Sequence, residues 1–366
     1  MTTTGTDSRR LRLGTRGSRL ALTQSGQVAA ALMAAGAPGE GSGGLSIDLV
    51  TVRTDGDGDR TPLRQLGGVG VFAARLRHAL LDGEVDLVVH SFKDLPTQPV
   101  EGLEVICVPA REDPRDALCA RDGLTLADLP EGARVGTGSP RRAAQLLAAR
   151  PDLEVVDLRG NVPTRLARVR GLEVVGVGTD EPVAPSRADA AGDLDAVVLA
   201  LSGLRRLGLE HCASEVLDLE TILPAPAQGA LAVEARAGED SAELARAAAV
   251  LDDEPTRLAV TAERALMARL GAGCAAPVGA WAHLQGGGQE PRALVLRAVV
   301  TSLDGGQEVG CELSTELPET SGGPRTPRDT AAVRAAEALG ARAAEVLLED
   351  GADQIVDLHA NKPRRD

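Results

Sequence analysis

The chain has 366 residues, 43% of them hydrophobic, which is ample for a sizeable core and sets an expectation of two or three domains. Its net charge of −14 argues against nucleic acid as the main partner, because phosphate binding needs positive surface. Arginines clustered inside so acidic a chain point instead to a small polyanion held in a cleft.

Five cysteines (Cys107, Cys119, Cys212, Cys274, Cys311) are odd in number and widely spaced, with no CxxC pair. That pattern is against a disulfide framework or a zinc cluster, and a reduced cytoplasm is the expectation. No run of about 18 apolar residues reads as a membrane span, and residues 1–9 are polar rather than signal-like.

Leu11–Thr15 reads as a strand, followed by Arg16-Gly17-Ser18 and a helix to about Gly36; Leu45–Val52 reads as a second strand. The Gly/Asp run Thr54–Pro62 fails as a calcium loop, since Arg60 and Leu66 stand where Gly and Glu are required. Gly67-Gly68-Val69-Gly70 lacks the third glycine and the preceding strand of a dinucleotide fingerprint. A helix over Val71–Leu81 leads to Val85–Val89, apolar except for Asp86, as a largely buried parallel strand would be. That strand empties into His90-Ser91-Phe92-Lys93-Asp94-Leu95-Pro96. Polar groups beyond the carboxyl end of such a strand are where α/β proteins place ligands, so Lys93 and Asp94 become candidates. His90 reads as a packed, hydrogen-bonded residue, and Phe72 and Phe92 either as core or as a lid over a planar ligand.

Leu103–Val108 is a strand, and Arg111–Asp116 a charged crossing into a second half with strands near Ala117, Ala133, Leu153 and Leu194–Leu201. Within it, Ala133–Gly136, the Thr137-Gly138 turn and a helix from Ser139 to Arg150 repeat the device at residue 14. Leu153–Leu158, Arg159-Gly160 and a helix from Asn161 repeat it again. Ser139 and Asn161 are N-caps and Pro140 suits the first helical turn. Arg141 and Arg142, then Arg159 and Arg165, crowd the positive ends of these helices, where cations are disfavoured. Four solvated arginines would satisfy one reading; an anion docked on guanidiniums and helix N-termini satisfies the other, which the repetition favours. Residues 171–193 read as a Gly/Pro/Asp-rich surface insert. Gly203-Leu204-Arg205-Arg206 is again a strand exit bearing arginines, and Leu223–Gly229 breaks regular structure for a return crossing.

Past Asp253 the pattern changes to a helix over Glu254–Leu270 and strands over Val278–Leu284, Arg292–Thr301 and Gln307–Leu313. A last helix over Thr330–Glu349 follows, with Asp329 as its N-cap. Cys274 sits among small residues that leave its sulfur accessible.

The motifs Thr15–Ser18, Val89–Pro96, Arg111–Asp116, Gly136–Arg142, Leu158–Val162, Leu204–Leu209, Gln228-Gly229 and Gly273-Cys274, in this order, resemble hydroxymethylbilane synthases, the porphobilinogen deaminase family. The resemblance runs from about Leu11 to about Asp350. It implies an α/β fold of two lobes like those of periplasmic binding proteins plus a small C-terminal α+β domain. The expected domains are 1–110 with 229–248, 111–228, and 249–366.

It also implies a transferase that deaminates four porphobilinogen molecules and joins them head to tail on a dipyrromethane cofactor. The matching attachment residue is Cys274, through a thioether. Asp94, with Lys93, matches the catalytic position. Lys93, Asp94, Thr137, Ser139, Arg141 and Arg142 match cofactor contacts. Arg16, Ser18, Phe72, Arg159, Arg165 and Arg206 match substrate contacts. Porphobilinogen carries acetate and propionate arms, so a growing chain adds two carboxylates per pyrrole, which suits an arginine cleft. Loss of ammonia leaves a cation that a carboxylate at Asp94 can balance. The family is usually monomeric, and the expectation for this chain is a cytoplasmic monomer with neither nucleic acid nor membrane as partner. Two departures stand out: Gln65 and Val69 occupy a loop where lysines are common, and the insert has no counterpart. The competing class is a two-lobed anion-binding protein without catalysis, which would leave Asp94 and the cysteine domain unexplained.

Overall fold

The computed structural model describes residues 10–37, 44–52, 71–174, 192–238, 241–273, 276–287, 290–318 and 330–358. The first lobe opens with β1 (Arg10–Thr15), α1 (Arg19–Ala35), β2 (Ser46–Thr51), α2 (Val71–Leu81) and β3 (Leu87–Ser91). A 3-10 turn at Phe92–Asp94 and β4 (Leu103–Cys107) complete this run. The second lobe contains β5 (Asp116–Ala120), β6 (Arg134–Gly136), α3 (Pro140–Ala149), β7 (Glu154–Val156) and α4 (Val162–Leu166). It continues with β8 (Ala196–Ala200), α5 (Leu201–Leu207) and β9 (Glu215–Val216). The chain then returns through β10 (Leu231–Arg236) and α6 (Ala242–Leu251) to the first lobe.

In the first sheet, ordered β2-β1-β3-β10-β4, β1 is parallel to β2 and β3, while β10 lies antiparallel between β3 and β4. The second sheet has the same plan, β7-β6-β8-β5-β9, with β6 parallel to β7 and β8 and β5 antiparallel to β8. One strand running against its neighbours in a five-stranded sheet, in each of two lobes, is the arrangement of periplasmic-binding-protein folds. Leu11 and Leu13 of β1 pack on Val28, Ala29 and Leu32 of α1, and each such leucine contributes about 1.5–3 kcal/mol on full burial. α6 joins the same cluster through Leu244, Ala247 and Ala248, with Leu251 packed against it.

The third layer is a β-meander of β11 (Val278–Gly287), β12 (Glu290–Thr301) and β13 (Glu308–Glu316). It is covered by α7 (Glu254–Leu270) and α8 (Ala331–Glu349), with α9 (Ala352–Ile355) at the end. Burial along β13 alternates residue by residue, the mark of a sheet with one face on helices. The N-cap of α8 is Thr330, whose hydroxyl accepts from the Val333 amide at 3.2 Å; Asp329 lies outside the described residues.

All three parts meet at Glu263 of α7, which is fully buried. It takes Arg111 of the outward crossing in a two-pronged pair at 2.7 and 3.1 Å, the Ala227 amide of the return crossing, and the Ala282 amide of β11 at 2.8 Å. The return crossing is tightly specified here. Gly229 has φ +89°, and a Cβ there would lie 2.4 Å from the Glu112 carbonyl oxygen, so only glycine passes.

Candidate active site

Lys93 and Asp94 sit on the turn that leaves β3. This strand begins at Leu87, not Val85, and continues to Ser91 because β10 pairs Leu231 with Ser91. His90 therefore belongs to the strand, buried, with Nε2 3.1 Å from Glu234 of β10; Arg77 of α2 grips the same carboxylate at 2.9–3.1 Å. The turn is fixed from above by Arg264 of α7. Its guanidinium lies 4.5 Å over the Phe92 ring and donates to the carbonyls of Leu95 at 2.7 Å, Pro96 at 2.8 Å and Phe92 at 3.3 Å. Phe92 is thus core, packed among Ala227, Ala230 and Val260, and the lid reading fails for it. Asp94 is exposed, while the half-buried Lys93 donates to Gln228 Oε1 at 3.2 Å.

In the second lobe the two repeated junctions lie side by side. Ser139 caps α3, its Oγ accepting from the Arg142 amide, and Asn161 caps α4, its Oδ1 accepting from Thr164 at 2.9 Å. Thr137 Oγ1 accepts from the Ser139 amide at 3.2 Å. Gly138 is pressed against the next junction: a Cβ would lie 2.4 Å from the Leu158 carbonyl oxygen. Arg141 and Arg142 do not fan outward from the helix start. Both are buried and converge on Asp116, the first residue of β5, each at 2.7 Å from one carboxylate oxygen. Arg141 also donates to the Leu223 carbonyl, and Arg142 to the Val198 carbonyl at 3.2 Å and Gln228 Oε1 at 3.3 Å. The helix-end anomaly of these two arginines is resolved by a buried carboxylate of the protein itself. Burial alone would raise the Asp116 carboxyl, but Arg141 and Arg142 outweigh it and hold the group well below the usual carboxylate range.

The lobes converge electrostatically. Desolvation pushes the Lys93 amine down to about 8; Arg142 and Arg141 add to the fall, and Asp94 and Asp116 oppose it. Desolvation likewise brings Arg165 down to about 10, with Arg142 and Arg159 lowering it and Asp157 and Asp94 raising it. Asp94 of one lobe therefore shares a field with Arg165 of the other. Arg165 anchors on the Gly160 carbonyl at 2.7 Å, and Arg159 stands 3.9 Å from Asp157.

Other expected residues lie elsewhere or beyond description. Ser18 caps α1, accepting from the Ala21 amide at 3.2 Å, with half-buried Arg16 beside it. Arg206 donates to the Gly229 carbonyl at 2.6 Å and lines a cavity of about 340 Å³ with Gln27, Glu112 and Leu231. Cys274, Gln65, Val69 and residues 175–191 of the insert fall outside the described residues, as does the side chain of Phe72 at the start of α2. Asp116, Gln228 and Arg264 received no role from the sequence. Asp116 closes the charged crossing Arg111–Asp116, and an acid opening an otherwise apolar strand was the available signal.

The donor set suits a polycarboxylate. Nε of Arg141, Arg142 and Arg159 is buried without a hydrogen-bond partner among the described residues, and a buried donor left so is costly until an acceptor arrives.

A family model described as the porphobilinogen deaminase dipyromethane cofactor binding domain matches residues 11–244, and one for the porphobilinogen deaminase C-terminal domain matches 257–349. A porphobilinogen deaminase of Cutibacterium acnes is 52% identical over 97% of this chain and 99% of its own. One of Micrococcus luteus is 50% identical over 97% and 98%, and one of Thermobifida fusca 49% identical over 94% and 95%. Among solved structures, a TRAP periplasmic solute-binding protein of Roseobacter denitrificans covers 67% of this chain and 78% of its own. Its TM-score of 0.33 at 10% identity is too slight a likeness to bear on the ligand.

Proposed function

The chain belongs to the porphobilinogen deaminase family, which makes hydroxymethylbilane from porphobilinogen on a dipyrromethane cofactor, and from that premise we propose how its residues divide the work. When bound, the cofactor supplies the free pyrrole end to which each porphobilinogen unit is joined. Arg141, Arg142 and Ser139 hold its carboxylate arms, with Thr137 setting the turn, and Arg159 serves the substrate side. Arg165, and Arg16 with Ser18 from the first lobe, take those of incoming substrate. Arg206 and Phe72 are assigned to substrate on family resemblance alone.

Asp94 is the catalytic carboxylate. It accepts from the pyrrole N–H of porphobilinogen and balances the positive charge that develops as ammonia departs. Lys93, as an ammonium, adds a donor for substrate carboxylates beside it. The observation that carries this reading is the Lys93–Asp94 turn, rigidly held yet presenting Asp94 to the field of Arg165. A preorganised charge of this kind accounts for roughly a hundredfold to a thousandfold in rate.

Cys274 is the thioether anchor, and the enzyme works as a cytoplasmic monomer. Among the described residues, Cys107, Cys119, Cys212 and Cys311 are joined in no disulfide. Intact mass tests the assignment: the purified protein should exceed its sequence mass by two linked pyrroles, mapped to Cys274. Cys274→Ser should fold, weigh what its sequence says and be inactive. A free Cys274 in active enzyme would remove the anchor.

A further inference from the structure

We propose that Gln228 is a positioning residue for the reaction: a buried amide clasp that couples the two lobes beneath the site and holds the Lys93 ammonium in place. The inference rests on the reading of Lys93 and Asp94 given above. Gln228 lies on the return crossing and is fully buried. Its Nε2 donates at 2.7 Å to both the Pro114 carbonyl and Asp116 Oδ1; its Oε1 accepts from Lys93 at 3.2 Å and Arg142 at 3.3 Å. Every one of these partners is chemically one-sided. Turning the amide over would set its NH2 against two cations and its oxygen against a carbonyl and a carboxylate, so the orientation is forced. The backbone is equally restrained, with its carbonyl accepting from Arg111 at 2.8 Å and its amide donating to Ala225 at 2.9 Å.

One oxygen thus joins a cation of the first lobe to a cation of the second. Other charges face Lys93 as well: Asp94 on its own turn, Asp116 on β5, and Arg141 and Arg142 on α3. Two of these are acids and two are bases. A neutral acceptor directed at Nζ therefore favours the protonated amine, and hydrogen bonding to a charged form always moves a group this way. Glutamine suits the place because it neutralises neither arginine nor lysine, leaving their charge for carboxylates.

The sequence makes the test unusually clean, since of its 39 Lys and Arg residues only Lys93 and Lys362 are lysines. Protein labelled with [ε-13C]lysine should give two ε-carbon signals, assigned by Lys362→Arg and followed through pH without turnover. In Gln228→Met the Lys93 midpoint should fall by about one unit, the equivalent of one hydrogen bond to a charged group. In Gln228→Glu, which keeps the acceptor and adds charge, it should rise. The alkaline limb of the activity profile should move in the same directions. A midpoint unmoved in either folded variant overturns the clasp, and a shifted midpoint with an unmoved activity limb overturns its role in the reaction. An Asp94→Asn enzyme of normal activity would instead remove the underlying reading of the site, whatever Gln228 does.

Discussion

Asp116 of the second lobe and Asp94 of the first are built in opposite ways. In the second lobe Asp116, Arg141 and Arg142 are buried and bonded to one another, to the Leu223 and Val198 carbonyls and to Gln228. In the first lobe Asp94 is exposed at the tip of a turn whose backbone, rather than its carboxylate, is what Arg264 restrains. The difference separates fixing a site from reacting at it. A carboxylate that must neutralise two buried guanidiniums has no capacity left for substrate, whereas one held only through its backbone keeps its oxygens available.

The comparison breaks most readily at Asp116. Asp116→Ala strands two buried cations and should cost about 3–5 kcal/mol of folding stability, read as a lower urea midpoint with loss of cofactor loading. The sign with pH follows. The folded-state value is depressed, so this stability is present above the ordinary carboxylate range and is lost as pH falls through and below it. Wild type should weaken in acid through this group more steeply than Asp116→Asn does. An Asp116→Ala protein as stable as wild type would show that the cluster is not what holds the second lobe.

At Asp94 the opposite pattern is expected. Asp94→Asn should leave the urea midpoint unchanged and lower tetrapyrrole formation roughly a hundredfold to a thousandfold. Asp94→Glu, which keeps the charge but displaces it by one methylene, should retain weak activity and accumulate enzyme–pyrrole species visible by mass. Near wild-type turnover in a folded, loaded Asp94→Asn enzyme would exclude it from the chemistry.

Arg264→Leu sharpens the contrast by loosening the turn without touching either charge. Losing three bonds from a cation to carbonyls should cost about 2 kcal/mol in stability. Turnover should fall more than substrate affinity does, because Asp94 is misplaced rather than removed. Equal activity in this variant would mean the turn holds its shape without the third domain.

The smallest effect is expected at Lys93. Its folded-state value of about 8 lies below the ordinary 10.5, so between these the unfolded chain binds a proton the folded protein lacks. Stability contributed by this group therefore rises with pH across that window, and below about 8 the full penalty of burying the charge applies. Lys93→Met should remove that rise in cofactor-free protein, measured as urea midpoints at several pH values. A rise that survives the substitution would place it on another group.

Much of this protein is legible from residue order alone. α2 and α7 have the bounds expected from the sequence, and Ser139 and Asn161 cap the helices they precede. Caps and amphipathic periods are local, acting over three or four residues, so the sequence carries them whole. The strand–turn–helix junctions and the motif around Asp94 are local in the same sense. What only the tertiary structure decided is which charges meet. Asp116 lies 25 and 26 residues from Arg141 and Arg142, and Gln228 lies 135 from Lys93. Their pairing follows from the antiparallel place of β5 beside β8 and from the return crossing beneath both lobes. The arginine excess at a helix start looked in sequence like a demand for an outside anion. Folding met much of it from within, because a buried charge must find its counterion wherever the chain brings one near.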